Sequence, residues 1–457
     1  MITSTELQLL LCTCICMLSI IMNWKGIIKP IHLNFYQIIS IFVGIYFGLG
    51  TWTAFIYGNF SLPIEKTHII FETYLVIAFY LTGLKLIERL AVSRIDQKLP
   101  YYENHFTIIT FFYSYYKISW QRIIIVVLCV WLLRIYLGLR YGLWLSGSAK
   151  AETVLLLPYS IVVINQITII IMQGCQIWAA ASFWSDRRFA YKFYSLAILL
   201  SEFFWTFLRG RRWIIMWIIF ILFGFFCSGK KLSFKYVITF LVIMFFKINF
   251  IFPFFLSVRT TRNTTFAKNQ DAFSSFNNSA IYAYKNFKKT SKKINNENMR
   301  ERPLGLYRFI AQICESSQNN PLMLGNALFR SIIMAVPSAI VPMKRGLLTS
   351  EQYIQQHYKL NQTDSANTWP AVGYADFGIA GGFIVGIIVG SLILIIANCS
   401  KFILPTYPLI SLSFIGSLIL NLIQVEADPN AWWTLCRNIV VVIFIAKFLD
   451  IFYLRKK

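Results

Sequence analysis

The fold of this chain is decided by stretches such as residues 378–398, which read GIAGGFIVGIIVGSLILIIAN and contain no charged side chain. About 20 mostly apolar residues in a helix span the hydrocarbon core of a bilayer. Four glycines, Gly378, Gly382, Gly386 and Gly390, recur at every fourth residue. Glycines at this spacing share one helix face and let another helix approach closely. The stretch therefore predicts a membrane-spanning helix whose glycine face packs on a neighbour, with a backbone-lined substrate groove as the alternative.

The whole chain has the composition of a membrane protein. Of its 457 residues, 57% are hydrophobic and 14% are charged, and 41 are phenylalanine. Soluble domains carry about 25% charged residues. A soluble protein of this composition would expose too much apolar surface, and a disordered chain has the opposite composition. Both classes are excluded.

Further apolar runs follow the same pattern along the chain and predict an all-α, polytopic membrane protein of about 11 transmembrane helices, with 10–14 compatible. We divide it into N-terminal spans (1–256), one large helical loop (257–370) and C-terminal spans (371–457). The predicted spans lie near 6–23, 34–57, 69–86, 122–139, 153–182, 194–208, 213–228, 236–257, 371–398, 402–424 and 433–452.

The basic residues orient the chain in the membrane. The net charge is +24, and alternate loops are strongly basic, which identifies those loops as cytoplasmic. The N-terminus is then outside and the C-terminus inside. The aromatic segment Tyr101–Trp120 is predicted to lie along the cytoplasmic membrane surface. No basic, non-hydrophobic domain suited to nucleic acid is present, so nucleic-acid binding is not expected.

Two basic features fall on the outer side, where positive charge is normally scarce. One is the short turn Arg209-Gly210-Arg211-Arg212. The other is the loop 257–370, which holds 15 Lys and Arg residues against 6 Asp and Glu residues. Both features place cations at the outer membrane surface, and we take this as the main functional signal.

The large loop carries the signals of several short helices. Ile281–Asn295 has lysines at helical spacing, and Pro303 is predicted to open a helix through Gln312. Asn320-Pro321 resembles an N-cap followed by proline and predicts a helix through Met334. Thr349 with Gln352 forms a capping-box pattern that predicts a helix carrying Glu351 and His357.

The outer cations are candidate ligands for phosphate. Guanidinium groups bind phosphate oxygens through paired hydrogen bonds, so Arg209, Arg211 and Arg212 are predicted to hold a phosphate or pyrophosphate. Simple contact with lipid headgroups is the alternative. Glu202 is expected to be a buried partner for one of them rather than a catalytic group. Lys344 is a further candidate, together with its neighbour Arg345.

His357 is the candidate general base of the loop, and a carboxylate such as Glu351 is the other choice. Histidine titrates near neutral pH and can take a proton from a hydroxyl group; a plain surface histidine is equally compatible with the sequence. Phosphate-binding loops, a D-x-D motif and metal-ligand spacings are absent from the sequence, so no metal or cofactor is expected. Asp376 is interpreted as a cap or anchor of the span that follows it.

The arrangement of these residues resembles the bacterial O-antigen polymerases (Wzy) and related oligosaccharide repeat-unit polymerases. The resemblance rests on the arginine turn Leu208–Arg212, on the segment Val336–Arg345, and on Trp369–Gly382 with its Y-x-D-F-G-x-x-G pattern. It covers the topology of the whole chain and is sharpest over residues 208–382.

This resemblance implies a GT-C-like, metal-independent glycosyltransferase in the bacterial inner membrane, with its active site and N-terminus on the periplasmic side. Such enzymes transfer a growing glycan from undecaprenyl pyrophosphate to a lipid-linked repeat unit. By position, Arg211 and Arg212, and then Arg302 and Arg345, would bind pyrophosphate or glycan. The implied partners are the lipid-linked glycans, membrane lipid, a chain-length regulator and other polysaccharide-assembly proteins.

Two other functions fit the same sequence less well. An O-antigen ligase shares the layout but transfers finished glycan to the lipid A core. A flippase for lipid-linked oligosaccharides belongs to the transporters, but it would need two related halves around a cationic cavity and usually no large outer loop. We find no internal repeat, and the loop 257–370 argues against a flippase.

Overall fold

The computed structural model describes residues 4–28, 33–52, 67–93, 107–141, 159–209, 211–229, 305–337, 340–360, 367–425 and 428–454, with isolated positions between 238 and 287. Within these ranges the regular structure is helical, and the only strand-like contact is an isolated bridge between Asn34 and Thr107. The prediction of an all-α chain is confirmed for the part that the structure describes.

The helices of the N-terminal half are, in chain order, α1 (Ser4–Ile28), α2 (Phe35–Val43), α3 (Thr67–Ser93), α4 (Ile108–Tyr113), α5 (Trp120–Tyr141), α6 (Tyr159–Ser185), α7 (Phe189–Arg209) and α8 (Arg211–Cys227). A π-helical turn, Gly44–Leu49, extends α2, and a 3-10 turn, Ser114–Lys117, follows α4.

The loop and the C-terminal part add α9 (305–316), α10 (Asn326–Ala335), α11 (Ser350–His357), α12 (Trp369–Phe377), α13 (Ile379–Ile403), α14 (Pro408–Ile423) and α15 (Pro429–Leu454). A 3-10 turn, Pro342–Gly346, separates α10 from α11.

Six of the described helices are long and apolar enough to cross a membrane, which supports a multi-pass membrane protein. They cover Glu6–Trp24, Phe35–Trp52, Thr67–Ala91, Trp120–Gly138, Val163–Ser185 and Ile379–Ile403. Helices α7, α8, α14 and α15 lie at four further predicted spans. The predicted span near 236–257 falls almost wholly outside the described residues, as do most of Ile281–Asn295 and the start of the aromatic segment Tyr101–Trp120.

The chain divides into two compact units. The first comprises Met1–Thr107, Arg300–Cys399 and Ser417–Lys457, and the second comprises Ile108–Met299 and Ser400–Gly416. These units group segments that are distant in the sequence. The predicted division at residues 256 and 370 follows the order of spans and loop along the chain, and it stays a prediction.

In the first unit, the glycine face of α13 packs on a neighbouring helix, as predicted, and that helix is α3. A Cβ atom on Gly382 would meet the carbonyl group of Val76, and one on Gly386 would meet the carbonyl oxygen of Tyr80. Gly83 of α3 faces Gly386 in return. Because neither helix carries a side chain at this crossing, the two backbones come into direct contact.

Gly378 does not belong to this face, because the helix breaks there. Its φ of 63° lies in the left-handed region that glycine adopts without strain. Thr368 caps the preceding helix α12 by accepting a hydrogen bond from the Ala371 N–H, with Pro370 in its first turn. The predicted span 371–398 is therefore two helices, the short and largely buried α12 and the membrane-length α13.

The start of α10 also differs from the prediction. The pair Asn320-Pro321 predicts a helix from that point, but α10 begins at Asn326, after Gly325 with a φ of 93°. The prediction of its start is wrong, because the first N–H groups of α10 are capped by a side chain distant in the sequence, as described below. The capping box of α11 is confirmed: the Thr349 hydroxyl accepts from the Gln352 N–H at 3.2 Å.

In the second unit, α6 packs against α7 and α8. A Cβ atom on Gly224 of α8 would meet the carbonyl group of Ala180 in α6. The short helix α4 turns Phe112 inward, and its ring lies against Phe220 and Phe223 of α8 at centroid distances of 6.3 and 5.7 Å. The aromatic residues of the predicted surface segment are thus partly used for packing within the protein.

Candidate functional site

The predicted arginine turn lies between α7 and α8. Arg209 ends α7 and Arg211 begins α8. Gly210 and the side chains of Arg209, Arg211 and Arg212 fall outside the described residues, as do Arg302 and the side chain of Arg345. Their assignment to phosphate binding therefore stays a prediction.

Lys344 lies at the C-terminal end of α10. Its ammonium group donates hydrogen bonds to the carbonyl oxygens of Met334, at 3.1 Å, and of Val336. Arg437 of α15 donates to the neighbouring carbonyl of Ala335 at 2.8 Å. Burial lowers the pKa of Lys344, and the charge of Arg437 adds to this effect. Both cations face the negative end of the helix dipole, where they stabilise α10.

The opposite end of α10 is bound by Asp376. Its buried carboxylate accepts the N–H groups of Ala327, at 2.9 Å, and Leu328, at 2.8 Å. Burial raises the pKa of Asp376, while these hydrogen bonds act in the opposite direction. Asp376 is an anchor, as the sequence indicates, but the helix that it caps is α10 of the loop rather than the span that follows it.

The two candidate bases lie on α11. His357 is partly exposed, and its Nε2 atom lies 2.8 Å from the carbonyl oxygen of Pro321. A carbonyl oxygen only accepts, so Nε2 carries the proton and Nδ1 is the nitrogen left for base chemistry. Glu351 accepts a hydrogen bond from the Gln355 amide at 3.3 Å.

A further polar cluster lies where the loop meets the beginning of α3. We call it the loop-end cluster and define it by His68, Glu72, Ser317, Gln318 and Tyr374. The Tyr374 hydroxyl donates to Glu72 Oε2 at 3.0 Å and lies 3.1 Å from the Ser317 hydroxyl. The Gln318 amide nitrogen lies 2.7 Å from His68 Nε2. Glu72 is partly exposed, and His68 is exposed one helical turn earlier on the same helix face.

Apolar and thiol contacts beside this cluster hold α9 on α3. The rings of Tyr74 and Tyr307 pack with their centroids 5.2 Å apart. The Thr73 hydroxyl donates to the sulfur of Cys314 at 3.7 Å. Burial raises the pKa of the Cys314 thiol to about 12. These contacts fix α9, and Ser317 and Gln318 follow directly after its last residue.

Neither Glu72 nor His68 is among the candidate site residues that the sequence predicts. Glu72 lies inside the predicted span 69–86, and His68 lies immediately before it. Their spacing in the sequence is the feature that could identify them. A histidine and a glutamate four residues apart at the end of an apolar run share one helix face. Ionisable residues within membrane segments are rare and are usually functional.

The second unit contains a buried polar triad of Arg134, Gln176 and Glu202, contributed by α5, α6 and α7. Arg134 donates to Glu202 Oε1 at 2.6 Å, and Gln176 donates to Glu202 Oε2 at 2.7 Å. Glu202 is buried and bound to an arginine, as expected, although the expected partner was Arg209, Arg211 or Arg212. The arginine that it binds is Arg134, to which the sequence assigns no role.

In the described part of the chain, no group of three or more His, Cys, Asp or Glu side chains is placed to hold a metal ion.

Comparison of the sequence with protein-family models and with curated proteins, and of the fold with solved structures, finds no match to this chain.

Proposed function

We propose that this protein is a membrane glycosyltransferase that polymerises undecaprenyl-pyrophosphate-linked oligosaccharide repeat units into O-antigen or a related surface polysaccharide. The reaction takes place at the periplasmic face of the bacterial inner membrane. The proposal combines the sequence resemblance over residues 208–382 with the chemistry of the loop-end cluster.

The observation that carries the proposal is the position of that cluster. The polar loop folds onto the beginning of α3, a helix of membrane length, beside the partly exposed carboxylate of Glu72. A lipid-linked glycan presents its pyrophosphate and first sugars where the hydrocarbon of the bilayer gives way to water. A protein that acts on such a substrate needs polar chemistry at this depth.

The donor determines which groups the enzyme needs. A glycan on undecaprenyl pyrophosphate is already activated, so the protein has to stabilise the charge that develops on the departing pyrophosphate. Arg209, Arg211 and Arg212 are assigned this role, with Arg302 and Arg345 as further glycan or pyrophosphate ligands. Lys344 is a weaker candidate, because its ammonium group is bound to backbone carbonyls.

The acceptor requires a general base. Its hydroxyl group attacks the anomeric carbon of the donor sugar and gives up a proton. His357 through Nδ1, or Glu351, is the base suggested by the sequence. A chain-length regulator and other polysaccharide-assembly proteins are the proposed partners in the membrane.

A gene deletion tests the proposal. Lipopolysaccharide from the source strain, with and without the gene, is separated on a gel, and the wild-type gene is restored on a plasmid as the control. Loss of the long ladder, with core carrying a single repeat unit remaining, is the result that we expect.

Each other outcome contradicts the proposal in its own way. Bare core with finished polymer on its lipid carrier identifies a ligase. Bare core with repeat units held on the cytoplasmic leaflet identifies a flippase. An unchanged ladder together with unchanged capsular polysaccharide rules out a polymerase of either product.

A further inference from the structure

The loop-end cluster contains a row of groups joined by hydrogen bonds. Tyr374 Oη lies 3.0 Å from Glu72 Oε2 and 3.1 Å from Ser317 Oγ. Ser317 Oγ lies 2.7 Å from the carbonyl oxygen of Cys314. The row therefore has three contacts between oxygen atoms and ends at an oxygen that only accepts. The Cys314 thiol lies beside it, within hydrogen-bonding reach of the Tyr374 hydroxyl.

A count of the protons shows that this hydrogen-bonded row can take up one more proton. When Glu72 is ionised, the hydroxyls of Tyr374 and Ser317 supply two protons for three contacts. If Ser317 donates to Cys314 and Tyr374 donates to Glu72, the contact between the two hydroxyls has no proton. A proton added to Glu72 fills the row: Glu72 donates to Tyr374, Tyr374 donates to Ser317, and Ser317 donates to Cys314.

Tyr374 is suited to this rearrangement of hydrogen bonds. The side chain is buried, and burial, followed by the neighbouring Cys314 thiol, raises the pKa of its hydroxyl well above the ordinary value. The phenol therefore stays neutral near physiological pH and keeps its single proton. To fill the row, the Tyr374 hydroxyl group only has to turn its proton from Glu72 to Ser317.

Glu72 is also accessible to a substrate. Among the described residues, Tyr374 is its one hydrogen-bond partner and uses Oε2. The side chain is partly exposed, which leaves Oε1 for an outside hydroxyl group. A carboxylate that is held at one oxygen and open at the other has the geometry of a general base.

We propose that Glu72, in place of His357 or Glu351, is the general base of the glycosyl transfer, and that Tyr374 and Ser317 are positioning residues that accommodate the proton it receives. This inference rests on the proposed function. A hydroxyl of the acceptor sugar forms a new bond from its oxygen to the anomeric carbon of the donor. The bond from that carbon to the pyrophosphate oxygen breaks, and its electron pair leaves with undecaprenyl pyrophosphate. The hydroxyl proton moves to Oε1 of Glu72. Rotation of the carboxyl group then brings the protonated oxygen to Tyr374, whose own proton turns to Ser317.

The test uses the full-length protein in liposomes with a lipid-linked repeat unit, and it measures kcat and KM for chain elongation. We expect Glu72→Gln to lower kcat by about 100-fold or more, the usual contribution of a general base. Glu72→Asp, which keeps the carboxylate, should recover part of the rate. Thr82→Ala, at an exposed position of the same helix, serves as the matched control and should elongate normally.

Tyr374→Phe separates positioning from simple packing. It removes the hydroxyl group that contacts Glu72 and keeps the ring, so we expect kcat to fall by about tenfold while KM changes less than twofold. We measure kcat in mixtures of light and heavy water. For the wild-type protein, the solvent isotope effect should require more than one proton in motion, and for Tyr374→Phe it should require a single proton. Equal proton dependence in both proteins would contradict a role for the Tyr374 proton in the reaction.

The outcomes also separate this inference from the proposed function. Normal elongation by Glu72→Gln in an active preparation overturns the assignment of the base and leaves the polymerase standing. A wild-type protein that binds the lipid-linked glycan but never extends it overturns the polymerase itself. If Glu72→Gln fails to fold, the variants Glu72→Asp and Tyr374→Phe test the assignment of Glu72 as the base. Full activity in both variants would contradict that assignment.

Discussion

Arg134 and Glu202 form an ion pair inside the helical bundle of the second unit, with Arg134 donating to Glu202 Oε1 at 2.6 Å. Their side chains are 3% and 2% exposed. The guanidinium group also lies over the ring of Trp205, 5.1 Å from its centroid. Gln176 binds the second carboxylate oxygen, so that three helices meet at one pair of opposite charges.

Removing one partner of this pair should destabilise the protein more than removing both. Arg134→Met leaves Glu202 buried without its cation, and single changes in buried pairs cost about 3 to 5 kcal/mol. The double change Arg134→Met with Glu202→Met removes both charges and should recover much of that loss. Thermal unfolding of the purified protein in detergent measures the effect. Arg122→Met, at an exposed position of the same helix α5, is the control, and a double variant less stable than both single ones would contradict this account.

A side chain at Gly386 should destabilise the crossing of α3 and α13. In Gly386→Ala, the new methyl group would meet the carbonyl oxygen of Tyr80. Overpacking of this kind costs about 1 to 3 kcal/mol, which should appear as a lower melting temperature. Gly305→Ala is the matched control, since a Cβ atom there meets nothing within 4 Å. Equal melting temperatures for the two variants would count against a close helix crossing.

The sequence predicts the helices and the glycine face well, because both follow from local patterns. Apolar length identifies α13, and a four-residue glycine repeat identifies its packing side. The capping box at Thr349 is equally local, since its two partners are three residues apart. Such features need no knowledge of the rest of the fold.

Contacts between distant segments could not be predicted in this way. The cap of α10 is Asp376, 49 residues beyond Ala327, and so the local Asn320-Pro321 signal predicts the wrong start. Tyr374 meets Glu72 across 302 residues, and no spacing rule joins them. The sequence does not reveal the helix break at Gly378, because glycine is compatible both with a helix-packing face and with a left-handed turn.

Asp376 should hold the loop in place. Asp376→Ala leaves the N–H groups of Ala327 and Leu328 without their acceptor, and an unmet buried hydrogen bond costs about 1 to 3 kcal/mol. Hydrogen exchange of the α10 amides should therefore become faster. Asp376→Asn keeps one acceptor oxygen and should have a smaller effect. Unchanged exchange in Asp376→Ala would show that other contacts hold α10.

Cys314 should resist modification in the folded protein. The thiol is fully buried, and its pKa of about 12 leaves very little of the reactive thiolate at pH 7 to 8. A variant with Cys314 as its single cysteine should react with a water-soluble maleimide only after denaturation. Asn319→Cys, at an exposed position just after α9, should react at once in the same background. Rapid labelling of Cys314 in the native protein would mean that α9 does not stay packed on α3.

Arg211 should be required for elongation if the arginine turn binds pyrophosphate. Arg211→Ala removes a guanidinium group that can form paired hydrogen bonds with phosphate oxygens, so the mutant should reach the membrane yet produce no long polymer. Arg211→Lys keeps the charge without the paired geometry and should restore only part of the product. Arg187→Ala, at an exposed position in the connection between α6 and α7, is the control. The polysaccharide ladder on a gel and the amount of protein in the membrane are measured together, and a normal ladder from Arg211→Ala would refute its assignment to pyrophosphate.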